Sequence, residues 1–139
     1  FNTSRTGGLF AVALLEGSDT EYQPGIDIEM DRPISDAASV GRRILSESEQ
    51  RGLGSDHQMD TSQLLRIWTR KEAVLKAVGR GLAIDPSLIT VPCQPEASKG
   101  LDTVEVPLEG GPCAVLLQEP ADEAIPDGLL LAVALATGA

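Results

Sequence analysis

The stretch from Asp60 to Val78 restricts the fold more than any other part of this chain. At about 100° per residue, Leu64, Leu65, Ile67, Trp68, Val74, Leu75 and Val78 fall on one broad apolar arc, which predicts a helix laid against a core. Asp60, Thr61 or Ser62 can cap its start, and Gly79-Arg80-Gly81 stops it. Lys71 and Glu72 fall inside the arc rather than opposite it, and Lys76 lies at its edge, one turn beyond Glu72. Buried charge is costly unless it is paired or metal-bound. A Glu72–Lys76 pair one helical turn apart would contribute about 0.2–0.5 kcal/mol. That accounts for the spacing but not for the placement against the core.

A second segment breaks the local rules in a complementary way. From Gly25 to Asp31 the residues alternate: Ile26, Ile28 and Met30 take one face of a strand, and Asp27, Glu29 and Asp31 take the other. Pro33 ends it. Taken alone, such an acidic face is the ordinary one of a solvated strand.

The remaining elements are read around these two. Residues 9–16 form a buried strand, Asp36 to Leu45 a helix, and Ser46-Glu47-Ser48-Glu49 a capping-box start for a second, short helix. Leu88–Val91, Thr103–Val106, Ala114–Gln118 and Leu129–Ala136 read as strands between Pro- and Gly-containing turns. The order strand, strand, helices, strands implies an α+β fold, an antiparallel sheet with helices packed on one face. At 139 residues without linker or repeat, the chain is read as a single domain, 1–139.

Composition excludes several classes. The net charge is −10 and the pI about 4.4, with no basic face, so no nucleic acid is expected as a partner. No apolar run reaches the roughly 18 residues that span a bilayer, and no signal peptide is read at Phe1-Asn2-Thr3-Ser4-Arg5. No membrane partner is expected. Opening on Phe1 without methionine, the chain is expected to begin within a longer protein, to be processed or to be incompletely recorded. Cys93 and Cys113 form no metal spacing or disulfide framework, so a cytoplasmic location is expected. The single histidine, His57, sits in a loop-like stretch and is read as an exposed bystander. In so acidic a chain, any phosphate site must be local, built from a few cations and a metal.

The acidic strand face and the charged positions of the helix together suggest such a site. If Asp27, Glu29 and Glu72 converge, each pair of carboxylates at 4 Å repels by about 4 kcal/mol at an effective dielectric of 20. Such a cluster persists only if a divalent ion or protonation relieves it. Hard oxygen ligands with open positions suit Mg2+, which keeps water and substrate phosphate in its shell. A lysine one turn along could meet that phosphate, and the reaction class implied is phosphoryl transfer.

These residues also carry a resemblance. Gly25-Ile26-Asp27-Ile28-Glu29 is followed by Trp68-Thr69-Arg70-Lys71-Glu72-Ala73-Val74-Leu75-Lys76. This order resembles the signature of 4'-phosphopantetheinyl transferases: a G-[IV]-D-[IV]-E strand, then W/F-x-x-K-E-[AS]-x-x-K in a helix. Phe1-Asn2-Thr3-Ser4 is similar to the F-N-x-S stretch that precedes them, and Arg42 to Glu49 to the connecting segment. The resemblance covers about residues 1–91. The F-N-x-S element comes first and no S-H segment follows residue 82. This order resembles the C-terminal lobe of the two-lobed, surfactin-synthetase-type enzymes, not the short, trimeric holo-acyl-carrier-protein-synthase branch.

What the resemblance implies is a Mg2+-dependent enzyme that moves 4'-phosphopantetheine from coenzyme A to a serine of an acyl or peptidyl carrier protein, releasing 3',5'-ADP. Such enzymes serve fatty acid, polyketide and nonribosomal peptide synthesis. It implies Asp27, Glu29 and Glu72 as metal ligands, and Glu72 and Lys76 as catalytic residues. Ser4, Arg5, Lys71 and Lys76 would lie at coenzyme A, with Lys71 supporting the site structurally or electrostatically. Arg5 stands where the family usually has histidine; its guanidinium is always charged and binds phosphate through a planar fork. An N-terminal lobe, another subunit or a second copy is expected to complete the site. The alternative is a non-catalytic or half-length homologue that binds carrier protein or coenzyme A without turnover. A carrier domain built on Asp85-Pro86-Ser87-Leu88 is rejected, because Pro86 separates the aspartate from the serine.

Overall fold

A computed structural model describes residues 1–17, 21–53, 60–80, 83–92, 101–120 and 125–137. Its core is a four-stranded antiparallel sheet in the order β3-β6-β5-β4, built from β3 (Tyr22–Met30), β4 (Asp102–Val106), β5 (Cys113–Gln118) and β6 (Leu129–Thr137). The α+β expectation holds. One helix, α3 (Thr61–Val78), lies across β3, β6 and β5, while α1 (Ala37–Ile44) and α2 (Glu47–Gly52) flank it. A separate hairpin, β1 (Asn2–Thr6) and β2 (Leu9–Ala13), stands at the free edge of β3.

Helix ends follow the local chemistry. The Asp60 carboxylate accepts from the Ser62 N–H, and Gly79 closes α3 at φ 72° by donating its N–H to Leu75 and Lys76 carbonyls. Asp36 caps α1, and Ser46 with Glu49 forms the complete capping box of α2.

The sheet face beneath α3 is made of small side chains. Ala132, Ala134 and Ala136 of β6 are buried there, and the register sets Ala134 opposite Gly25 and Ala132 opposite Asp27. At Gly25 the approach is closest of all: a Cβ there would stand 2.1 Å from the Ala73 carbonyl oxygen and 2.5 Å from the Ala77 nitrogen. Only glycine lets the helix backbone rest on the strand at this point.

Three expectations change. The run 9–16 is not a buried strand: β2 ends at Ala13, and Phe10 is 66% and Leu14 79% exposed. Among the described residues it pairs only with β1, through a two-residue Gly7-Gly8 turn. The segment Leu88–Val91 is not a strand; a short 3-10 helix, Pro86–Leu88, leads into an extended stretch. Ile89 and Val91 are nevertheless fully buried, and the Val91 N–H donates to the Glu49 carboxylate instead of to a neighbouring strand. The polar β1, read as no element from its sequence, is a strand. His57 and Cys93 lie outside the described residues, and Cys113 is a free thiol.

Gly25→Ala forces a methyl group into the α3 backbone. We expect a loss of about 1–3 kcal/mol or more, the usual range for overpacking, read as a lower midpoint in denaturant unfolding. An unchanged midpoint would show that the helix can slide without cost.

Candidate active site at the edge of strand β3

The close contact at Gly25 fixes how near α3 lies to the strand. Ala73 and Ala77 touch Gly25, so the adjoining row of α3, Glu72 and Lys76, comes alongside Asp27 on the same strand face. Lys76 reaches across and donates to Asp27 Oδ1 at 2.8 Å and to the Ile26 carbonyl at 3.0 Å. It does not pair along its own helix with Glu72, so the intrahelical reading of that spacing is overturned; the partner is on the strand.

Strand β1 completes the edge with side chains. Asn2 Oδ1 accepts the Ile26 N–H at 3.0 Å, and Ser4 Oγ accepts the Ile28 N–H at 3.2 Å. The Ser4 hydroxyl in turn donates to Asp27 Oδ1 at 3.0 Å. One carboxylate oxygen of Asp27 thus receives both Ser4 and Lys76. The other, Oδ2, is buried without a hydrogen-bond partner among the described residues. A buried acceptor is normally satisfied, and an anionic oxygen left bare is suited to a cation.

Asp27, Glu29 and Glu72 share one electrostatic field. Burial raises the pKa of all three, and the Asp27 charge raises Glu29 and Glu72 further. Glu29 adds to the rise at Glu72, while Lys76 lowers all three and Arg32 lowers Glu29. Asp27 is 5% exposed, and Glu29 and Glu72 are half-buried. Among the described residues, however, no three His, Cys, Asp or Glu side chains are gathered into a ready-made metal cage. The two observations are compatible for Mg2+, which binds through one or two carboxylates plus water and substrate phosphate rather than through an all-protein cage. The bare Asp27 oxygen and the hard donor set fit that ion.

The other expected site residues divide. Ser4 is buried against Asp27, and Arg5 is exposed on β1 opposite Phe10. Lys71, expected both at coenzyme A and as a support, has its polar partners inside the protein. Its ammonium is fully buried, within 2.6 Å of Glu49 Oε2, and donates to the carbonyls of Ile44 at 2.6 Å and Pro86 at 2.9 Å. An ammonium so enclosed has no donor to offer a phosphate, which leaves the supporting role. Asn2, Gly25 and Glu49 were missed as parts of this architecture. An isolated glycine inside a strand pattern, as Gly25 is, signals close backbone approach, and the capping box already singled out Glu49.

A family model described as the 4'-phosphopantetheinyl transferase superfamily matches residues 23–123. The chain belongs to the 4'-phosphopantetheinyl transferase superfamily. Among similar members is the 4'-phosphopantetheinyl transferase Sfp of Bacillus subtilis, 29% identical over 121 residues, covering 86% of this chain and 49% of that protein. HetI of Nostoc sp., also a 4'-phosphopantetheinyl transferase, is 37% identical over 84 residues, 60% of this chain and 34% of its own length. The superfamily fold is also matched by the crystal structure of Thermotoga maritima holo-[acyl-carrier-protein] synthase, with a TM-score of 0.51 and 17% identity over 84% of this chain and 64% of that one. The chain spans about half, or less, of the length of these two transferases.

The raised carboxyl pKa values have a consequence for stability. Such groups bind protons more tightly when folded, so their contribution is most favourable below about pH 4 and is lost as pH rises through the raised values. In metal-free protein, Glu72→Gln should therefore melt at a higher temperature than the parent at pH 7. The difference should shrink toward zero below pH 4. Melting curves across that range are the measurement, and equal midpoints at neutral pH would speak against a shared field.

Proposed function

We propose that this chain carries the metal and phosphate half of an enzyme transferring 4'-phosphopantetheine from coenzyme A to a carrier-protein serine. The observation that carries this reading is the pairing of a buried, bare Asp27 oxygen with Lys76, beside two carboxyls of raised pKa, Glu29 and Glu72. Family membership supplies the reaction class. Asp27, Glu29 and Glu72 would hold Mg2+, directly or through water. When bound, the ion would supply charge neutralisation at the pyrophosphate.

The serine oxygen of an acyl or peptidyl carrier protein forms the new bond to phosphorus, and the bond to 3',5'-ADP breaks. Glu72 accepts the serine proton, directly or through one water; a pKa above the ordinary carboxylate value makes it a better base at neutral pH. Lys76 is the cation available to the departing phosphate, being 28% exposed and anchored at Asp27. Ser4 orients Asp27, and exposed Arg5 is free to meet an outlying phosphate of coenzyme A.

A second lobe, another subunit or another copy would complete the nucleotide site. Phe1, Leu9, Phe10, Val12, Leu14 and Leu15 leave the β1–β2 hairpin and its exit apolar and exposed, as an interface would be. A cytoplasmic setting suits this reaction. No helix among the described residues is long and apolar enough to cross a membrane.

The test is incubation with coenzyme A, Mg2+ and a panel of apo carrier proteins, with carrier mass as the readout. Modification of at least one carrier is expected, and Glu72→Gln should slow it about 10²–10⁴-fold. Lys76→Ala should cost about 2.7–4 kcal/mol of transition-state stabilisation. Coenzyme A or carrier binding without any mass change would favour the non-catalytic alternative. Sedimentation alongside should find the active species larger than one copy of residues 1–139. A fully active monomer would refute the need for a further lobe.

A further inference from the structure

Glu49 lies outside the site just described, yet it is among the most completely buried side chains of the molecule. One of its oxygens, Oε2, accepts the Ser46 N–H at 2.8 Å and faces the Lys71 ammonium at 2.6 Å. The other, Oε1, accepts the Val91 N–H at 2.7 Å. Lys71 adds the Ile44 and Pro86 carbonyls. The end of α1, the start of α2, the 3-10 helix and the 89–92 stretch therefore all converge on one ion pair in the middle of α3. Thr90 reinforces this, donating its hydroxyl to Ser46 Oγ at 2.8 Å.

Lys71 and Glu72 are consecutive, so their side chains leave α3 about 100° apart. Whatever fixes the direction of Lys71 fixes that of Glu72. We infer that Glu49, acting through Lys71, is a positioning residue that sets the rotation of α3 about its axis and so aims Glu72 at Asp27 and Glu29. This rests on the function proposed above. Side-chain tips stand about 5–6 Å from a helix axis, so a rotation of about 10° moves a carboxylate by about 1 Å. Misplacement on that scale is enough to cost about 10²-fold in rate. On the other side of α3, the Gly25 contact fixes how close the helix comes to the sheet. Contacts between a smooth glycine and alanines resist rotation weakly, whereas an ion pair with four further hydrogen-bond partners resists it strongly.

A buried ion pair is a costly way to add stability, since a pair of apolar residues of similar volume is often equally stable or more so. That contrast supplies the test. Glu49→Gln leaves Lys71 buried without its counter-charge, a change that strains folding itself, so the deciding variant is the double replacement Glu49→Met with Lys71→Met. It keeps the volume and removes the directional lock. Two readouts are compared with the parent chain: kcat and KM for coenzyme A in the transfer assay, and Tb3+ luminescence excited through Trp68, one turn from Glu72, as a probe of the carboxylates. The double variant leaves the Ser46 and Val91 N–H groups and the Ile44 and Pro86 carbonyls without these partners, so it should unfold in one transition below the parent temperature. Assayed where it is fully folded, its kcat should be lowered about 10–100-fold and its KM changed less than about 3-fold. Its Tb3+ titration should shift about 10-fold toward weaker binding.

Parent-like kcat and Tb3+ affinity in the folded double variant would overturn the positioning role. Failure of that variant to fold would make the pair a folding determinant alone and overturn it equally. If the parent neither binds Tb3+ nor modifies any carrier, the fault lies with the proposed function itself, an outcome separable from both.

Discussion

A helix cannot normally place its backbone against a strand, because two layers of side chains intervene. Here the strand offers Gly25 and the helix offers Ala73 and Ala77, and that contact governs everything built around it. It brings the charged row of α3 alongside the acidic face of β3, near enough for a lysine to grasp an aspartate and a strand carbonyl together. It also explains the run of alanines along β6, since larger side chains beneath the same helix would lift it from the glycine. Apolar bulk is moved outward to Val104, Val106, Val115 and Leu117, which fill the core beside the helix.

Two lysine–carboxylate pairs of α3, one fully buried and one partly exposed, are treated differently by their surroundings. Around Lys71 and Glu49, polar atoms find partners within the protein, and no solvent reaches either side chain. Around Lys76 and Asp27 the pairing is incomplete: one carboxylate oxygen is doubly bonded to donors and the other has none. Saturation is the mark of a structural pair, for which any further ligand is superfluous. A pair that leaves an anionic oxygen bare holds unspent capacity for a cation, and the neighbouring carboxyls raise that capacity by crowding negative charge.

How much of this was legible depended on whether the signal was local. Helix α3, a cap among Asp60, Thr61 and Ser62, and its stop from Gly79 were readable because a periodic pattern and its ends lie within one stretch of chain. The alternation of β3 likewise separated Asp27 and Glu29 from Ile26 and Ile28 correctly. Lys71 was read as a charge in need of partners, but which partners was not legible, for the opposite reason. A charge inside an apolar arc announces only that it needs partners, and here they are Ile44, Glu49 and Pro86, brought together by the fold. The same holds for Val91, whose hydrophobic neighbours imitate a strand while its backbone bonds to a side chain. The apolar run after Gly8 misled because hydrophobicity reports affinity for burial, not whether this chain alone supplies the cover. Polar β1 was missed because its strand character comes from pairing across a turn and from Asn2 and Ser4 reaching β3.

The position of β6 within the sheet bears on how the molecule is made. It is the last strand in the sequence, yet it is inserted between β3 and β5 and runs beneath α3. Strands β3 and β5 have no direct ladder to each other and are joined through it. During synthesis, the helix and the acidic strand therefore emerge long before the surface on which both are mounted. Contacts of such wide sequence separation form late and slow the folding of sheet-containing domains. A nascent chain that has not yet emerged as far as β6 would hold these side chains without the geometry that brings them together.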